Sequence, residues 1–597
     1  MKGDSLWRRM KKKPLFGLLG GLGLAAVAIG IIVLVIWLFI EPLSAPEQAG
    51  TVQFHTDHFT LWYQKDAEGI ADHDRLAEQL EHDLDQLVDL LQVDPALIPN
   101  PIDVFVHDDL SSMQSSIAKR KNPESRGGYI APLDLLTGES PRRRLAELVL
   151  AFGWGQCGSQ LLKSGVSIYA TDPQRNFHAV IAALPQRLYH PLPELVLMED
   201  RGEFPQSIYE SYDSPYSRVA IGLADYKKLL ELSESESSDA SDISGLEAAS
   251  FVQYLIEHMG GVREVKRIWG KGSTQRLLSR IEGVSMIDLG NAWYATAKDA
   301  GQDGSDYEYL RAYYLLANGD PDAAWALAKE LALNDPTDKD LSLAGRCAIS
   351  VGELDKAQEI VSKIDNKEKR HGLQRYIDLY SNWKVLNSEG LRLLTSPEVP
   401  AEDSQKLLLQ AENGYETIVG KLGLAAGDLP HPLTIFVYDN SEARQVGAGL
   451  VPLSPVLNGT LHIMLTEDPG YAIAQILPAY AWGKDTYSRL LRTGLAVALS
   501  RSKDELVQQA CALRSEGTWL PLDRVDFGVT DEKTIEIETG LMLRYLLDDS
   551  VQKVREVWIA TSPLGLYLSV DAAFERVLGV TRKDIEESLV SSVLICK

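Results

Sequence analysis

Cysteine is scarce in this chain of 597 residues, which contains only four. Cys157, Cys347, Cys511 and Cys596 lie far apart, and none has the CxxC or Cys/His spacing of a zinc finger or a redox motif. Four cysteines in so long a chain are also too few for the disulfide framework of a small secreted domain. The stability of the fold must therefore come from apolar burial, and the hydrophobic content of 45% is ordinary for globular protein.

Positive charge is also in short supply, because 59 Lys and Arg residues stand against 84 Asp and Glu residues. The formal net charge of −25 would repel a polyanion, which excludes nucleic acid as a partner class. The sequence lacks a GxxxxGKS/T loop and a GxGxxG turn between a strand and a helix, so no nucleotide partner is expected. It also lacks the GxSxG elbow of many serine hydrolases.

One long apolar run is present near the N-terminus, where residues 15–40 contain no charge. At about 1.5 Å per residue this run is long enough to cross a hydrocarbon core of roughly 30 Å. Glu41 and Glu47 follow it. Six basic residues precede it: Lys2, Arg8, Arg9, Lys11, Lys12 and Lys13.

The distribution of charge around this run predicts its orientation. By the positive-inside rule, residues 1–14 form a cytoplasmic N-terminus, residues 15–41 a transmembrane helix, and the bulk of the chain is extracytoplasmic. The sequence thus predicts a single-pass protein of the cell (inner) membrane. A cleaved signal peptide is the alternative, but the run is longer than the usual apolar region of about 7–15 residues in such peptides.

Two parts of the chain share a series of matches in the same order. Residues 102–107 and 433–438 each read as an apolar strand after a proline turn, and a stretch with apolar residues at helical spacing precedes each. Further pairs follow downstream: 148–155 with 476–483, 161–170 with 490–499, 192–196 with 520–525, and 251–269 with 541–559. The sequence therefore predicts two copies of one α+β domain, at residues 51–300 and 380–597.

A different repeat lies between these copies. Gly319-Asp320 and Ala323-Ala324 recur as Gly352-Glu353 and Lys356-Ala357, at a spacing of 33 residues. This pattern resembles the tetratricopeptide repeat, a pair of antiparallel helices, and we assign residues 305–370 to it. The resemblance implies either a peptide-binding groove or a structural spacer.

Residues 232–244 are acidic and poor in apolar side chains. Such a composition cannot bury a core, so we predict a mobile loop inside the first copy. A solvated linker and a cation site are the two interpretations of this loop.

The segment LLRTGLAVALS at 490–500 lies between two helical stretches and is followed by a Pro-Leu turn. It resembles a motif of the peptidase-MA-like family of gluzincin zinc peptidases, and the resemblance covers most of both copies. It implies a zincin-like fold, in which two His of an HExxH helix and a Glu of a later helix bind zinc. The Glu between the two His activates the zinc-bound water.

The ligand positions implied by this resemblance do not hold metal-binding residues. Only Glu147 keeps the type of the general base, and apolar side chains have no lone pair for a metal. We therefore expect no catalytic residue, no metal and no cofactor. The degenerate positions are Ala146, Glu147, Leu150 and Ser164 in the first copy, and Ala474, Gln475, Pro478 and Thr493 in the second.

Three further residues of these windows carry expectations. Trp154 and Trp482 occupy matching positions, either as packing anchors or as residues that line the former cleft. Pro478 should bend or end its helix, because proline removes a backbone hydrogen bond.

Together these patterns predict a membrane-anchored, extracytoplasmic pseudo-peptidase that binds a polypeptide partner or acts as a scaffold of the cell envelope. We expect no enzyme activity. Two alternatives remain open: an active hydrolase with an unrecognised site, and a purely structural envelope protein. The predicted fold class is α+β, with a single N-terminal transmembrane helix and two zincin-like domains separated by tetratricopeptide-like helices.

Overall fold

The computed structural model describes most of the chain from Thr51 onward. The predicted N-terminus 1–14 and transmembrane helix 15–41 lie outside the described residues, as do residues 232–242 of the predicted acidic loop. The described residues are 51–64, 73–107, 125–126, 129–130, 133–136, 140–200, 243–281, 283–304, 306–333, 335–424, 432–450, 460–483, 486, 488–522, 531–562 and 568–592.

Contacts between Cα atoms divide the chain into two units. The first comprises residues 1–83, 99–124 and 130–141, and the second comprises residues 84–98, 125–129 and 142–597.

The first unit contains a four-stranded sheet. Its strands are β1 (Thr51–His55), β2 (Phe59–Gln64), β3 (Ile102–His107) and β6 (Leu133–Leu136), in the order β1-β2-β3-β6. β1 is antiparallel to β2, whereas β2, β3 and β6 are parallel. Alternate residues along these strands point to one face, which buries apolar side chains. They are Phe59, Leu61, Ile102, Val104 and Leu133.

The second unit contains a sheet with the same order and the same strand directions. Its strands are β7 (Lys384–Asn387), β8 (Leu391–Thr395), β9 (Leu433–Tyr438) and β10 (Leu461–Met464). β7 is antiparallel to β8, and β8, β9 and β10 are parallel. β9 is buried along its whole length, so both faces of this sheet are covered at that strand, whereas the edge strand β7 is largely exposed. The chain also forms a short pair of strands, β4 (Ser125–Arg126) and β5 (Tyr129–Ile130).

Helices make up most of the described chain. Before the tetratricopeptide-like segment they are α1 (His73–Leu90), α2 (Arg142–Gly153), α3 (Gln160–Thr171), α4 (His178–Ala183), α5 (Leu192–Asp200), α6 (Ile243–His258), α7 (Val262–Ile268), α8 (Thr274–Leu278) and α9 (Met286–Ala300). α6 thus begins at a residue that the sequence assigned to the acidic loop.

The remaining helices follow α9 in two groups. The first group is α10 (Tyr307–Ala317), α11 (Pro321–Leu331), α12 (Asp338–Ser350), α13 (Leu354–Val361) and α14 (Lys367–Tyr380). The second is α15 (Ala401–Leu422), α16 (Ser441–Ala448), α17 (Pro469–Ala481), α18 (Arg489–Ser500), α19 (Lys503–Glu516), α20 (Glu532–Asp549), α21 (Val551–Ala560), α22 (Val570–Leu578) and α23 (Arg582–Ser592).

Two helix pairs in the second unit cross so closely that only glycine fits at the contact. A Cβ atom on Gly165 of α3 would lie 2.5 Å from the carbonyl oxygen of Ala248 in α6. A Cβ atom on Gly494 of α18 would lie 2.8 Å from the hydroxyl of Thr539 in α20. Both approaches are shorter than a van der Waals contact, so the missing side chain lets each pair of helices pack.

These findings correct the predicted fold class. Helices pack on one another and supply most of the core, while the sheets have only four, four and two strands. Within the described residues, no helix has both the length and the apolar character needed to span a bilayer. The predicted α+β class with a transmembrane helix is therefore wrong, and the predicted single-pass membrane location and membrane attachment are contradicted with it.

The glycine contacts lead to a test of the fold. We expect Gly165→Ala and Gly494→Ala each to lower the free energy of unfolding by about 1–3 kcal/mol, because the added methyl group has no room. Gly420→Ala in α15 is the matched control, since nothing lies within 4 Å of its Cβ position. That variant should be neutral or slightly more stable. Denaturant melts of the three variants make the comparison, and equal stabilities would contradict the described packing.

Candidate functional site

The positions implied for a metal helix in the first copy lie in the core. Ala146 and Leu150 of α2 are 0% and 1% exposed, and Glu147 is 5% exposed. The carboxylate of Glu147 lies 3.9 Å from the guanidinium of Arg143, one turn earlier. Ser164 of α3 is also buried, and its hydroxyl has no hydrogen-bond partner within the described residues.

The equivalent positions of the second copy are less uniform. Ala474 and Pro478 of α17 are buried, whereas Gln475 is exposed and Thr493 of α18 is half-buried. The helix does not end at Pro478, as the sequence allowed, but continues to Ala481. No cluster of three or more His, Cys, Asp or Glu side chains suited to a metal ion occurs among the residues that the structure describes.

The two matching tryptophans make similar contacts. The ring of Trp154 meets that of Trp269 edge-on at 5.1 Å, and the ring of Trp482 meets that of Trp558 edge-on at 5.4 Å. The indole nitrogen of Trp154 donates to the carbonyl oxygen of Leu91 at 2.9 Å. These contacts favour the packing role for both tryptophans over a role in a cleft.

Helices α10 to α14, between the two predicted copies, form two antiparallel hairpins and a further helix. Gly319 and Gly352 both have positive φ angles, of 85° and 83°, which explains why glycine recurs at these turns. Asp320 caps α11 by accepting from the amide of Ala323 at 3.1 Å. The middle helix, α12, is buried continuously from Leu341 to its end.

Residues 315–375 match the tetratricopeptide repeat family. The match confirms the resemblance inferred from the 33-residue spacing. A tetratricopeptide repeat is consistent with a protein-binding or scaffold role. No curated protein sequence is significantly similar to the chain. The peptidase-MA-like resemblance has no such family match.

The turn between tetratricopeptide helices α10 and α11 is held from two sides. The guanidinium of Arg187, from the segment between α4 and α5, donates to the side-chain oxygen of Asn318 at 3.0 Å. The hydroxyl of Tyr480 in α17 donates to the backbone carbonyl of the same Asn318. Arg187 also stacks over the Tyr480 ring at 4.4 Å from its centre. Three distant segments therefore meet at one point, which we call the Asn318 junction.

The tetratricopeptide helices are also bound to the second sheet. Asp322, at the start of α11, accepts two hydrogen bonds from Arg392 of β8 at 2.9 and 3.0 Å. Tyr380 of α14 and Tyr438 of β9 share a hydrogen bond of 2.8 Å between their hydroxyls, and Tyr438 bonds His462 of β10 at 2.8 Å. Burial lowers the pKa of His462 to about 3, so its ring is neutral.

Two buried glutamates, which the sequence analysis did not single out, occupy comparable places in α6 and α20. Glu247 and Glu538 are both 0% exposed. Each accepts the backbone amide of the residue before a proline: His190 for Glu247 at 2.8 Å, and Leu520 for Glu538 at 2.6 Å. The sequence of α6 is mostly apolar around Glu247, whereas α20 carries several other charged residues, so no sequence signal marks Glu538.

The two glutamates differ in their charge partners. The ring of His190 lies 2.7 Å from Glu247. Leu520 makes the corresponding backbone contact to Glu538, and one carboxylate oxygen of Glu538 has no hydrogen-bond partner in the described part of the chain. Burial, together with the negative charges of Glu586 and Asp531, raises the pKa of Glu538 to about 8.

The Asn318 junction should stabilise the fold through coupled contacts. We expect Tyr480→Phe to lower the free energy of unfolding by about 1 kcal/mol, because the carbonyl of Asn318 loses its donor. Arg187→Ala and Tyr480→Ala should show a coupling energy of about 0.5–2 kcal/mol in a double-mutant cycle, since their side chains stack. Strict additivity would mean that the stack contributes nothing.

The raised pKa of Glu538 predicts a pH dependence of stability. The folded chain holds this proton more tightly than the unfolded chain, so the contribution is complete below about pH 4.5 and is lost as the pH rises to about 8. We expect Glu538→Gln to be more stable than wild type at pH 8, by on the order of 2 kcal/mol. The two should be nearly equal at pH 4.5.

The first copy supplies the control for this experiment. Glu247→Gln should lower stability at pH 7 by about 1–3 kcal/mol, because the variant loses the carboxylate that contacts the ring of His190. Chemical denaturation at both pH values measures each difference. If the two glutamine variants shifted stability in the same direction, the contrast between the copies would be wrong.

Proposed function

We propose that this chain is a non-catalytic, protein-binding scaffold. Its tetratricopeptide helices join two copies of one sheet-and-helix unit, residues 51–300 and 380–597, which descend from a peptidase-like domain. The partner is a polypeptide, and the chain holds it without cleaving it.

The burial of apolar side chains at the implied ligand positions carries this proposal. Ala146 and Leu150 stand where an HExxH helix has its histidines, and both are in the core. Ala474 and Pro478 repeat the same replacement in the second copy. None of these four side chains has a lone pair for zinc. The Glu147 carboxylate therefore has no metal-bound water to activate in the peptidase mechanism.

Shared details of the two copies support a common origin. The sheets have the same strand order and directions. Ser159 and Ser488 cap α3 and α18 by accepting from the amides of Leu162 and Leu491. The edge-on tryptophan pairs, the glycine crossings and the two buried glutamates add further correspondences. Independent folds would have no reason to agree at so many positions.

The tetratricopeptide helices support the scaffold role. Two repeats are fewer than the three or more that such arrays need for stability. Here the Asn318 junction, the Asp322–Arg392 pair and the Tyr380–Tyr438 bond add the missing contacts. These polar contacts are directional, so they fix the orientation of the helices as well as their proximity.

An active hydrolase finds little support in the described residues. The closest approach to a catalytic triad is a buried network in which the His178 ring lies 2.9 Å from the Ser250 hydroxyl and 3.4 Å from Glu257. Ser250 is 0% exposed and also accepts from the indole of Trp293 at 3.1 Å. A nucleophile must reach its substrate, and this hydroxyl is sealed in the core.

Zinc content tests the proposal. The full chain, expressed with zinc, should contain far less than one zinc per chain by elemental mass spectrometry. It should also release no product from general peptidase and esterase substrates. Stoichiometric zinc or sustained turnover would overturn the proposal.

A restored ligand set tests the assigned positions. The triple variant Ala146→His, Leu150→His and Ser164→Glu should gain about one zinc per chain if these positions face the former site. The matched control, Leu145→His, Val149→His and Ser164→Glu, shifts the histidine pair by one residue and should gain none. Circular dichroism checks that both variants fold. Equal zinc in the two folded variants would show that the peptidase-like assignment is wrong.

A further inference from the structure

Residues 441–450 place the end of a short helix against the tetratricopeptide helices. Within them, α16 connects β9 to β10, and its chain then turns at Gly449 and Leu450. The guanidinium of Arg346, in α12, donates to the carbonyl oxygen of Leu450 and to that of Gly449 at 3.4 Å. Arg346 itself is only 7% exposed.

Charge and shape are complementary at this contact. The C-terminal end of a helix carries partial negative charge on its unpaired carbonyls, and Arg346 supplies the positive charge that they favour. A Cβ atom on Gly447 would overlap the hydroxyls of Tyr438 and Tyr380. A Cβ atom on Gly449 would lie 3.0 Å from the Tyr376 hydroxyl. The surface therefore accepts a helix end that lacks side chains on its inner side.

Few contacts hold this segment in place. Of residues 441–450, only Gly447 and Leu450 are buried. The other anchors are the Asn440 cap, which accepts from an amide at 2.8 Å, and a half-exposed ion pair of 2.7 Å between Arg444 and Glu467. Exposed pairs and single caps contribute little, so this segment opens more readily than the core around it.

We propose that the surface formed by Arg346, Tyr376 and Tyr380 is a receptor for the C-terminal end of a short helix. Residues 441–450 occupy it within this chain, and a partner helix with glycine in its last turn takes their place when they are released. This inference rests on the proposed protein-binding function and names the surface that serves it. The segment then acts as an internal competitor that keeps the receptor closed.

The test uses the full chain and a labelled peptide of residues 439–450, amidated at its C-terminus. Fluorescence anisotropy should show no saturable binding to wild type, because the chain's own segment fills the receptor. Gly447→Val ejects that segment by overlap with the two tyrosine hydroxyls, and this variant should bind the peptide saturably, at least tenfold more tightly than the weakest affinity that the assay could detect for wild type. Gly372→Ala, in α14, is the control that should behave as wild type, since nothing lies near its Cβ position.

A second variant releases the segment without touching the receptor. Asn440→Ala with Arg444→Ala removes the cap and the exposed ion pair, which should raise the open fraction, and the apparent affinity for peptide, about fivefold. A peptide that carries Gly447→Val should bind none of the proteins. If neither folded variant binds the peptide better than wild type, or if both peptides bind equally, the proposal is overturned.

These outcomes are independent of zinc content and hydrolytic activity. Failure of peptide binding would show that the proposed receptor surface does not bind a helix end, and would favour a purely structural role for the tetratricopeptide helices. The non-catalytic assignment would stand. Measured zinc or turnover would remove the non-catalytic assignment and leave the peptide result unchanged.

Discussion

Two tetratricopeptide repeats cannot bury both faces of their own helices, so neighbouring elements of the fold must cover the remaining apolar surface. In a long array each repeat covers the next, and here α12 is buried along most of its length by its neighbours α11, α13 and α14. The Asn318 junction closes one side and the second sheet closes the other, through Asp322 and Tyr380. The repeats are therefore fixed to the rest of the second unit by these polar contacts. Their place in the chain, between two sheet-and-helix segments, follows from the same need for cover.

The two proposed copies keep their packing and differ in their polar chemistry. Glycine crossings and tryptophan pairs recur with similar distances, because a change at either would disturb many contacts at once. The buried glutamates instead show how one substitution changes a local charge balance. Glu247 keeps a histidine, whereas Glu538 faces Leu520 and holds its proton to about pH 8. A residue at a close helix contact is therefore harder to replace than the charged partner of a buried carboxyl group. The carboxyl group can stay protonated and neutral when that partner is lost.

Local patterns in the sequence predicted local structure well. The strands at Ile102–His107 and Leu433–Tyr438 lie where the apolar runs after proline turns predicted them, and the 33-residue spacing identified the tetratricopeptide helices. The predicted proportion of helix and sheet was wrong, because periodicity shows which face of a helix is apolar but not what covers it.

The alignment of 192–196 with 520–525 also needs a shift, since the shared glutamate contact aligns His190 with Leu520. Pairs such as His178 with Ser250 join residues 72 positions apart, and no local pattern encodes them.

The Asn318 junction also has a consequence for the order in which the chain folds during synthesis. Its donors lie 131 residues before and 162 residues after the turn they hold. At typical rates of about 5–20 residues per second, the ribosome needs roughly 8–30 s to add the stretch between the turn and Tyr480. Through that interval the nascent tetratricopeptide helices lack the contacts that Tyr480, Arg392 and Tyr438 supply. The packing of the tetratricopeptide helices is therefore completed only after Tyr480 has been synthesised, and chaperones that bind nascent chains have that interval in which to act.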